Sequence, residues 1–262
     1  MAHFYIDEEL ESAAVGDLVS LGGTEARHAV TVSRLTVGET VSIGNGAGLV
    51  VSGQIVTAEH TSLVVAVAEV STEPRRVPAI FLAQALAKGD RDELAVQAAT
   101  ELGVDGVIPW TAGRSISRWE GAKIAKGRDR WSAVVREASK QSLRAWIPDV
   151  LDLVTTKQLA RLVGGAPTTA GTDESPSDIA AVPEGIRMLV LEPTAAAALS
   201  ALEPDGRDLI LVVGPEGGIS PQELDALAAA GAEVVRLGPE VLRTSTAGPA
   251  AIAVLNAKLQ RW

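Results

Sequence analysis

"LVVGPEGGIS", residues 211–220, decides how this chain is read. An unbroken aliphatic run that begins at Leu209 ends on Gly214, and three glycines and a proline fill the turn after it. The run does not alternate with polar residues, so it reads as a strand buried on both faces of a parallel sheet. "SPQE" then opens a helix, with Ser220 as cap, Pro221 in the first position and Glu223 closing a capping box. Open α/β sheets bind ligands at the carboxyl ends of their strands, so Gly214–Gly218 is a candidate ligand loop. Its spacing is G-P-E-G-G rather than G-x-G-x-x-G, and the chain contains no G-x-x-x-x-G-K-[ST]. A dinucleotide or P-loop nucleotide site is therefore disfavoured.

The next strand repeats the arrangement. "VVRLGPEVLRTSTAG", residues 234–248, also runs from an aliphatic stretch through a glycine, Gly238, into a helix start. Thr244, Ser245 and Thr246 are cap candidates there. Two such junctions side by side predict one cavity between them.

Working outward, "RMLVLEP", "AIFLAQAL", "GVIPW" and "EVVRLG" read as further strands. "DELAVQAATELG", "KIAKGRDRWSAVVREASKQSL", "PQELDALAAAG" and "TAGPAAIAVLNAKLQ" read as helices, the first ending at Gly103. Strands alternating with helices predict an α/β fold with a mostly parallel sheet. Residues 1–72 differ: they are short runs rich in Val and Ile, broken by Gly and Asn, with "GNGAG" at 44–48 as a hairpin signal. A small N-terminal β-barrel is expected, with one helical turn capped by Thr24. "STEPRRVP", residues 71–78, marks the break, giving domains 1–73 and 74–262. Residues 164–185, "GGAPTTAGTDESPSDIAAVPEG", are poor in large apolar side chains and read as an exposed insertion.

The chain has no cysteine, which excludes disulfides, thiolate metal sites and a cysteine nucleophile. Its three histidines are scattered, so no metal centre is expected. The acidic start lacks the pattern of a signal peptide, and no apolar run is long enough for a bilayer. A cytoplasmic protein with no membrane partner is expected. The net charge is −10, yet residues 114–144 hold nine basic and three acidic side chains. That window is +6 within a remainder of −16, a local patch able to meet phosphates because screening confines its field to about 8–10 Å. Arg136, Lys140 and Arg144 recur every fourth residue and are expected on one helical face. Trp110, Trp119, Trp131 and Trp146 lie in or beside the window and read as core or interface packing in preference to base stacking.

"GPEGG" followed by "LGPEVLRTSTA" resembles the paired C-terminal loops of the SPOUT methyltransferases, and more narrowly the ribosomal RNA small-subunit methyltransferase E family. "RHAVTVSRLTVGE" (27–39), "QALAKGDRDELAVQAATELGVDGVIP" (84–109) and "RWSAVVREASKQSLRAWIP" (130–148) resemble that family's other segments. The resemblance implies a PUA-like N-terminal barrel that helps hold RNA. It implies a SPOUT α/β domain with a deep trefoil knot over roughly 187–262, S-adenosylmethionine bound in the knot loops, and a homodimer through the knot domain. The implied reaction is methylation of uridine N3 in 16S rRNA near the decoding site. Two departures stand out: Ser245 replaces a usual Glu, and Ala98 replaces a common Lys.

On that reading the cofactor site is built from Leu191, Gly214, Glu216, Gly217, Gly218, Leu237, Gly238, Leu242, Thr244 and Thr246. Glycines let backbone amides approach an adenine edge, and the leucines form apolar walls. Arg243 is the catalytic candidate, because a fixed cation stabilises charge developing on uracil oxygens. The alternative is that it pairs with Glu216 or caps a helix carboxyl end. RNA contacts are expected from Arg27, His28, Arg34, Arg114, Arg136, Lys140 and Arg144. Other readings are ribose 2′-O methylation, an oxidoreductase, or a non-catalytic RNA-binding protein.

Overall fold

A computed structural model of the chain describes residues 3–163 and 185–262. The expected insertion at 164–185 lies, apart from Gly185, outside the described residues. The chain divides into two compact units, Met1–Arg75 with Ser139–Ile147, and Arg76–Ala138 with Pro148–Trp262.

The first unit is a five-stranded sheet in the order β1-β3-β4-β5-β2. Its strands are β1 (Phe4–Ile6), β2 (Leu18–Gly22), β3 (Thr40–Gly44), β4 (Leu49–Glu59) and β5 (Ser62–Thr72). The β3–β4 hairpin turns at the predicted Gly/Asn cluster. Alternation works as period-2 physics requires: Val19 and Leu21 point inward while Leu18, Ser20 and Gly22 stay exposed. All five strands feed one core that includes Tyr5, Leu21, Val41, Ile55 and Leu63. Helix α1 (Gly23–Arg27) and a π-helical turn, His28–Val32, follow β2. Thr24 is not the cap; Gly22 occupies that position, with no side-chain cap bond.

The nine-residue stretch Ser139–Ile147 belongs with this unit although it lies far along the chain. It is pinned to the hairpin: the Gly48 N–H donates to Ala145 O at 3.0 Å, and the Ile147 N–H donates to Gly46 O at 3.0 Å. Indole Nε1 of Trp146 donates to Glu73 O at 2.8 Å.

The second unit is an eight-stranded, wholly parallel sheet. In chain order its elements are β6 (Ile80–Ala85), α2 (Arg91–Glu101), β7 (Gly106–Thr111), α3 (Ala122–Gln141), β8 (Asp149–Val150), β9 (Val154–Thr155) and α4 (Thr156–Val163). They continue with β10 (Arg187–Leu191), β11 (Ala197–Ala198), β12 (Leu209–Val213), α5 (Pro221–Ala229), β13 (Glu233–Arg236) and α6 (Thr244–Lys258). The strand order is β11-β13-β10-β12-β6-β7-β8, with β9 also on β7. Every residue of β6 and β12 is buried; β12 is an unbroken apolar run, and β6 is apolar but for Gln84, whose amide donates to Thr244 Oγ1 and Ala85 O. α6 packs on α2, β6 and β12. Gly248 permits that approach, since a Cβ there would sit 2.9 Å from Leu82 Cδ1.

Candidate active site

β10, β12 and β13 lie next to one another, so the loops leaving their carboxyl ends converge. They enclose a cavity of about 440 Å³, within the size range of small-molecule sites. Leu191, Gly214, Glu216, Gly218, Leu237, Gly238, Leu242, Arg243 and Thr244 all line it. Gly217 and Thr246 do not. The Gly217 carbonyl instead accepts a hydrogen bond from Arg114 Nη1 at 3.0 Å, and a Cβ at Gly217 would meet Arg114. Thr246 is exposed and donates its N–H to Arg243 O.

The first loop, 214–218, is anchored from several sides. The capping box forms as predicted: Glu223 N–H donates to Ser220 Oγ, and Ser220 N–H to Glu223 Oε2. Glu223 also accepts from Gly113 N–H at 2.8 Å and Thr156 Oγ1 at 2.7 Å. Burial alone would raise the Glu223 carboxyl, but these bonds outweigh it and hold it below the ordinary value. Glu216 accepts from Arg91 Nη1 at 2.6 Å and from Lys88 N–H at 3.2 Å. For Glu216 too, burial pushes upward, and the bonds from its own N–H, Arg91 and Lys88 bring it below the usual range. Gly218 has φ +71°, a left-handed conformation that favours glycine.

The second loop, 237–243, is tied down differently. No side chain of Thr244, Ser245 or Thr246 caps α6; Arg243 is the N-cap residue, without a side-chain cap bond. Buried Thr244 instead donates its hydroxyl to Gly214 O at 2.8 Å and accepts from Gln84 Nε2 at 2.9 Å. One hydroxyl thus links both loops to the end of β6. Val241 and Leu242 are exposed. Arg243 lines the cavity and is exposed. Among the described residues its guanidinium has no hydrogen-bond or ion-pair partner. The alternative pairing with Glu216 is therefore not made, because Arg91 holds that carboxylate. Arg91, Gln84 and Glu223 were not singled out in the sequence as site residues. The "SPQE" capping box was the available signal for Glu223; Arg91 and Gln84 gave none, since their partners lie more than a hundred residues away.

The basic face expected on α3 is not formed. The helix ends at Gln141, and Leu143 takes φ +56°, so Arg144 leaves the helical face. Lys140 is buried, and its Nζ lies 3.1 Å from Glu25 Oε1. It is a structural cation of the first unit rather than a phosphate contact. Arg136 lies 3.8 Å from Glu137. Arg27 and His28 are exposed on the helical turns of the first unit and Arg34 in the loop after them, with His28 edge-on to Tyr5. Trp110 and Trp131 are core residues, as expected.

The parallel sheet with its cleft between two glycine loops falls within residues 73–256, which match the family described as an RNA methyltransferase domain. A family described as an RNA methyltransferase PUA domain matches residues 21–67. The chain belongs to the ribosomal RNA small subunit methyltransferase E family. It is 38% identical to that protein of Mycobacterium bovis over 99% of this chain and 92% of the relative. With the Bacillus subtilis member it shares 28% over 98% of this chain and 96% of the relative. The crystal structure of the Neisseria gonorrhoeae member bound to S-adenosyl methionine superposes with a TM-score of 0.80, at 27% identity, covering 98% of both chains.

Proposed function

We infer that this chain transfers a methyl group from S-adenosylmethionine to 16S rRNA of the small ribosomal subunit, and that its target is N3 of a uridine near the decoding site. The observation that carries the reading is the cleft between the two glycine loops, in a chain similar end to end to a relative crystallised with S-adenosyl methionine. The residues fit that molecule: Leu191, Leu237 and Leu242 offer apolar walls, and loop backbone at Gly214, Gly218 and Gly238 is open to an adenine edge. When bound, the cofactor supplies an electrophilic methyl group on a sulfonium.

The chain's own part is to position and to stabilise. Uridine N3 carries a proton and becomes nucleophilic only as that proton leaves, which places negative charge on O2 and O4. Arg243, at the cleft and without a side-chain partner among the described residues, is the group we assign to that charge. Glu216 is committed to Arg91 and Lys88, so it holds the loop rather than accepting the proton.

The proposal extends to the chain's organisation. Residues 1–73, with which Ser139–Ile147 pack, serve as the PUA-like RNA-holding domain, and the rest of 74–262 as the methyltransferase domain. The exposed Arg27, His28 and Arg34 are available to RNA phosphates on the first. A trefoil knot over about 187–262 is supported by the return of α6 from β13 across the sheet to β6 and α2. A homodimer through this domain would cover Val241 and Leu242. The setting is cytoplasmic; among the described residues no helix is long and apolar enough to cross a membrane.

Transfer of labelled methyl to small ribosomal subunits, followed by nucleoside analysis, tests the function. The expected product is 3-methyluridine. A ribose 2′-O-methyl product would overturn the target, and absence of transfer would overturn the activity.

A further inference from the structure

A second cavity of about 340 Å³ lies in the same unit, and the cofactor cleft does not account for it. The two share a wall. The turn before α2 lines the second cavity through Lys88 and Asp90, while Arg91, the next residue, lines the first. The Lys88 N–H and the Arg91 guanidinium both hold Glu216 of the first glycine loop.

The far side of the second cavity carries Trp119. Its indole lies against α3 where Gly127 leaves room; a Cβ there would stand 2.4 Å from the ring. Its edge meets buried Trp131, with centroids 5.4 Å apart and planes at 78°. The ring is held in place yet only half-buried. Ile116, 71% exposed, and Ser117 complete this side.

The electrostatics select the ligand. Lys88 and Arg130 line the cavity with Asp90, Asp92 and Glu93, and Arg130 is drawn to Glu93 at 2.5 Å and Asp90 at 3.6 Å, so the lining holds one more carboxylate than cation and is no anion hole. Exposed Lys88 has no ion pair among the described residues and is available to one phosphate. A fixed aromatic ring, a hydroxyl, carboxylates and, among the described residues, one cation without an ion pair suit a flat, uncharged heterocycle with hydrogen-bonding edges on a phosphate backbone. We propose that this cavity is a subsite for an unpaired base of the RNA strand, stacked on Trp119 and flanking the uridine in the neighbouring cleft. The proposal rests on the methyltransferase reading above for the identity of that strand.

Steady-state methyl transfer to small-subunit rRNA by the full chain tests it, with cofactor affinity and Tm measured on the same preparations. Trp119→Ala removes the platform, and Ser117→Phe fills the cavity without touching the Trp119–Trp131 contact. Each is expected to raise KM for RNA by roughly tenfold or more, the size of one lost base–aromatic stack. The kcat and S-adenosylmethionine affinity should stay within about twofold, the pattern for a group that binds RNA alike in ground and transition states. Trp119→Phe should restore most of the loss. Unchanged KM in folded Trp119→Ala and Ser117→Phe proteins overturns the subsite, as does a loss that follows Tm and cofactor affinity together. Should the wild-type chain methylate no rRNA, the function fails but the subsite is still read. Tryptophan fluorescence quenched by short single-stranded oligouridylate in wild type, and not in Trp119→Phe, supports it; equal quenching in both overturns it.

Discussion

The two glycine loops look alike in sequence and are held in opposite ways. The first, 214–218, is fixed by a capping box, by Arg91 and Lys88 on Glu216, and by Arg114 on Gly217. The second, 237–243, carries exposed Val241 and Leu242 and an arginine without a partner among the described residues. One hydroxyl, that of Thr244, joins them. The first loop is thus a preformed wall, and the second presents groups outward. This asymmetry suits a site that must hold one reactant firmly while a large second reactant arrives.

Arg243 breaks or sharpens that contrast most. Removal of one well-placed donor to a developing oxyanion costs about 100–1000-fold in turnover. Arg243→Ala should therefore lose methyl transfer on that scale, with cofactor affinity and Tm little changed, because nothing in the fold leans on the side chain. Arg243→Lys keeps charge but loses the planar fork and should fall between. Near-normal turnover in a folded, cofactor-binding Arg243→Ala protein would remove the catalytic role.

Gly218→Val strikes the wall. The position is spatially open, with only Arg114 Nη1 within 4.0 Å of a new Cβ, so the expected damage comes from φ +71° and not from a clash. Strain of about 1–3 kcal/mol at such a φ should weaken S-adenosylmethionine roughly 5–150-fold if the loop gives way locally. Calorimetry that finds unchanged affinity would take this loop out of the site.

Thr244→Val tests the link. It keeps the side-chain shape but takes the donor from the Gly214 carbonyl and leaves the Gln84 amide only its 3.2 Å bond to Ala85 O, at a cost of about 1–3 kcal/mol. At about 2–4 °C per kcal/mol for a chain of this size, Tm should fall by several degrees. If Tm holds, the two loops are not coupled through this hydroxyl.

How much of this was legible follows from the range of each signal. β6 and β12 could be read because burial on both faces leaves a run that is apolar throughout in β12 and broken only by Gln84 in β6. The capping box could be read because its partners are three residues apart. Most of the cavity lining followed from two strand–glycine–helix junctions in sequence. What failed depended on distance or on where an element stops. The period placing Arg136, Lys140 and Arg144 together ignored that α3 ends at Gln141, before Arg144, and that from Ser139 the chain belongs to the first unit, where Lys140 is buried against Glu25. β8, β9 and β11 are two residues each and carry no periodicity. Thr244 looked like a helix cap from its neighbours; its real acceptor is 30 residues upstream.

The smallest effect belongs to the Arg91–Glu216 pair, which decides whether the wall is rigid through charge or through backbone bonds alone. Both side chains are partly solvated, at 43% and 25% exposure, so the pair is worth about 0.2–1 kcal/mol. Glu216→Gln should weaken S-adenosylmethionine by no more than about fivefold, the backbone bond from Lys88 surviving on the amide oxygen. The pH dependence separates charge from shape. In the folded chain the Glu216 carboxyl is held below its ordinary 4.5. A depressed carboxyl contributes stability that is fully present above the unfolded value and is lost as pH falls through the folded one. The Tm gap between wild type and Glu216→Gln should therefore be constant near neutral pH and close as pH drops below about 4.5, toward the lower folded value. A gap that stays open in acid would mean the glutamine disturbs the loop by shape. The first loop would then owe its rigidity to the Ser220–Glu223 box and its backbone bonds, with Arg91 a bystander on the cavity wall.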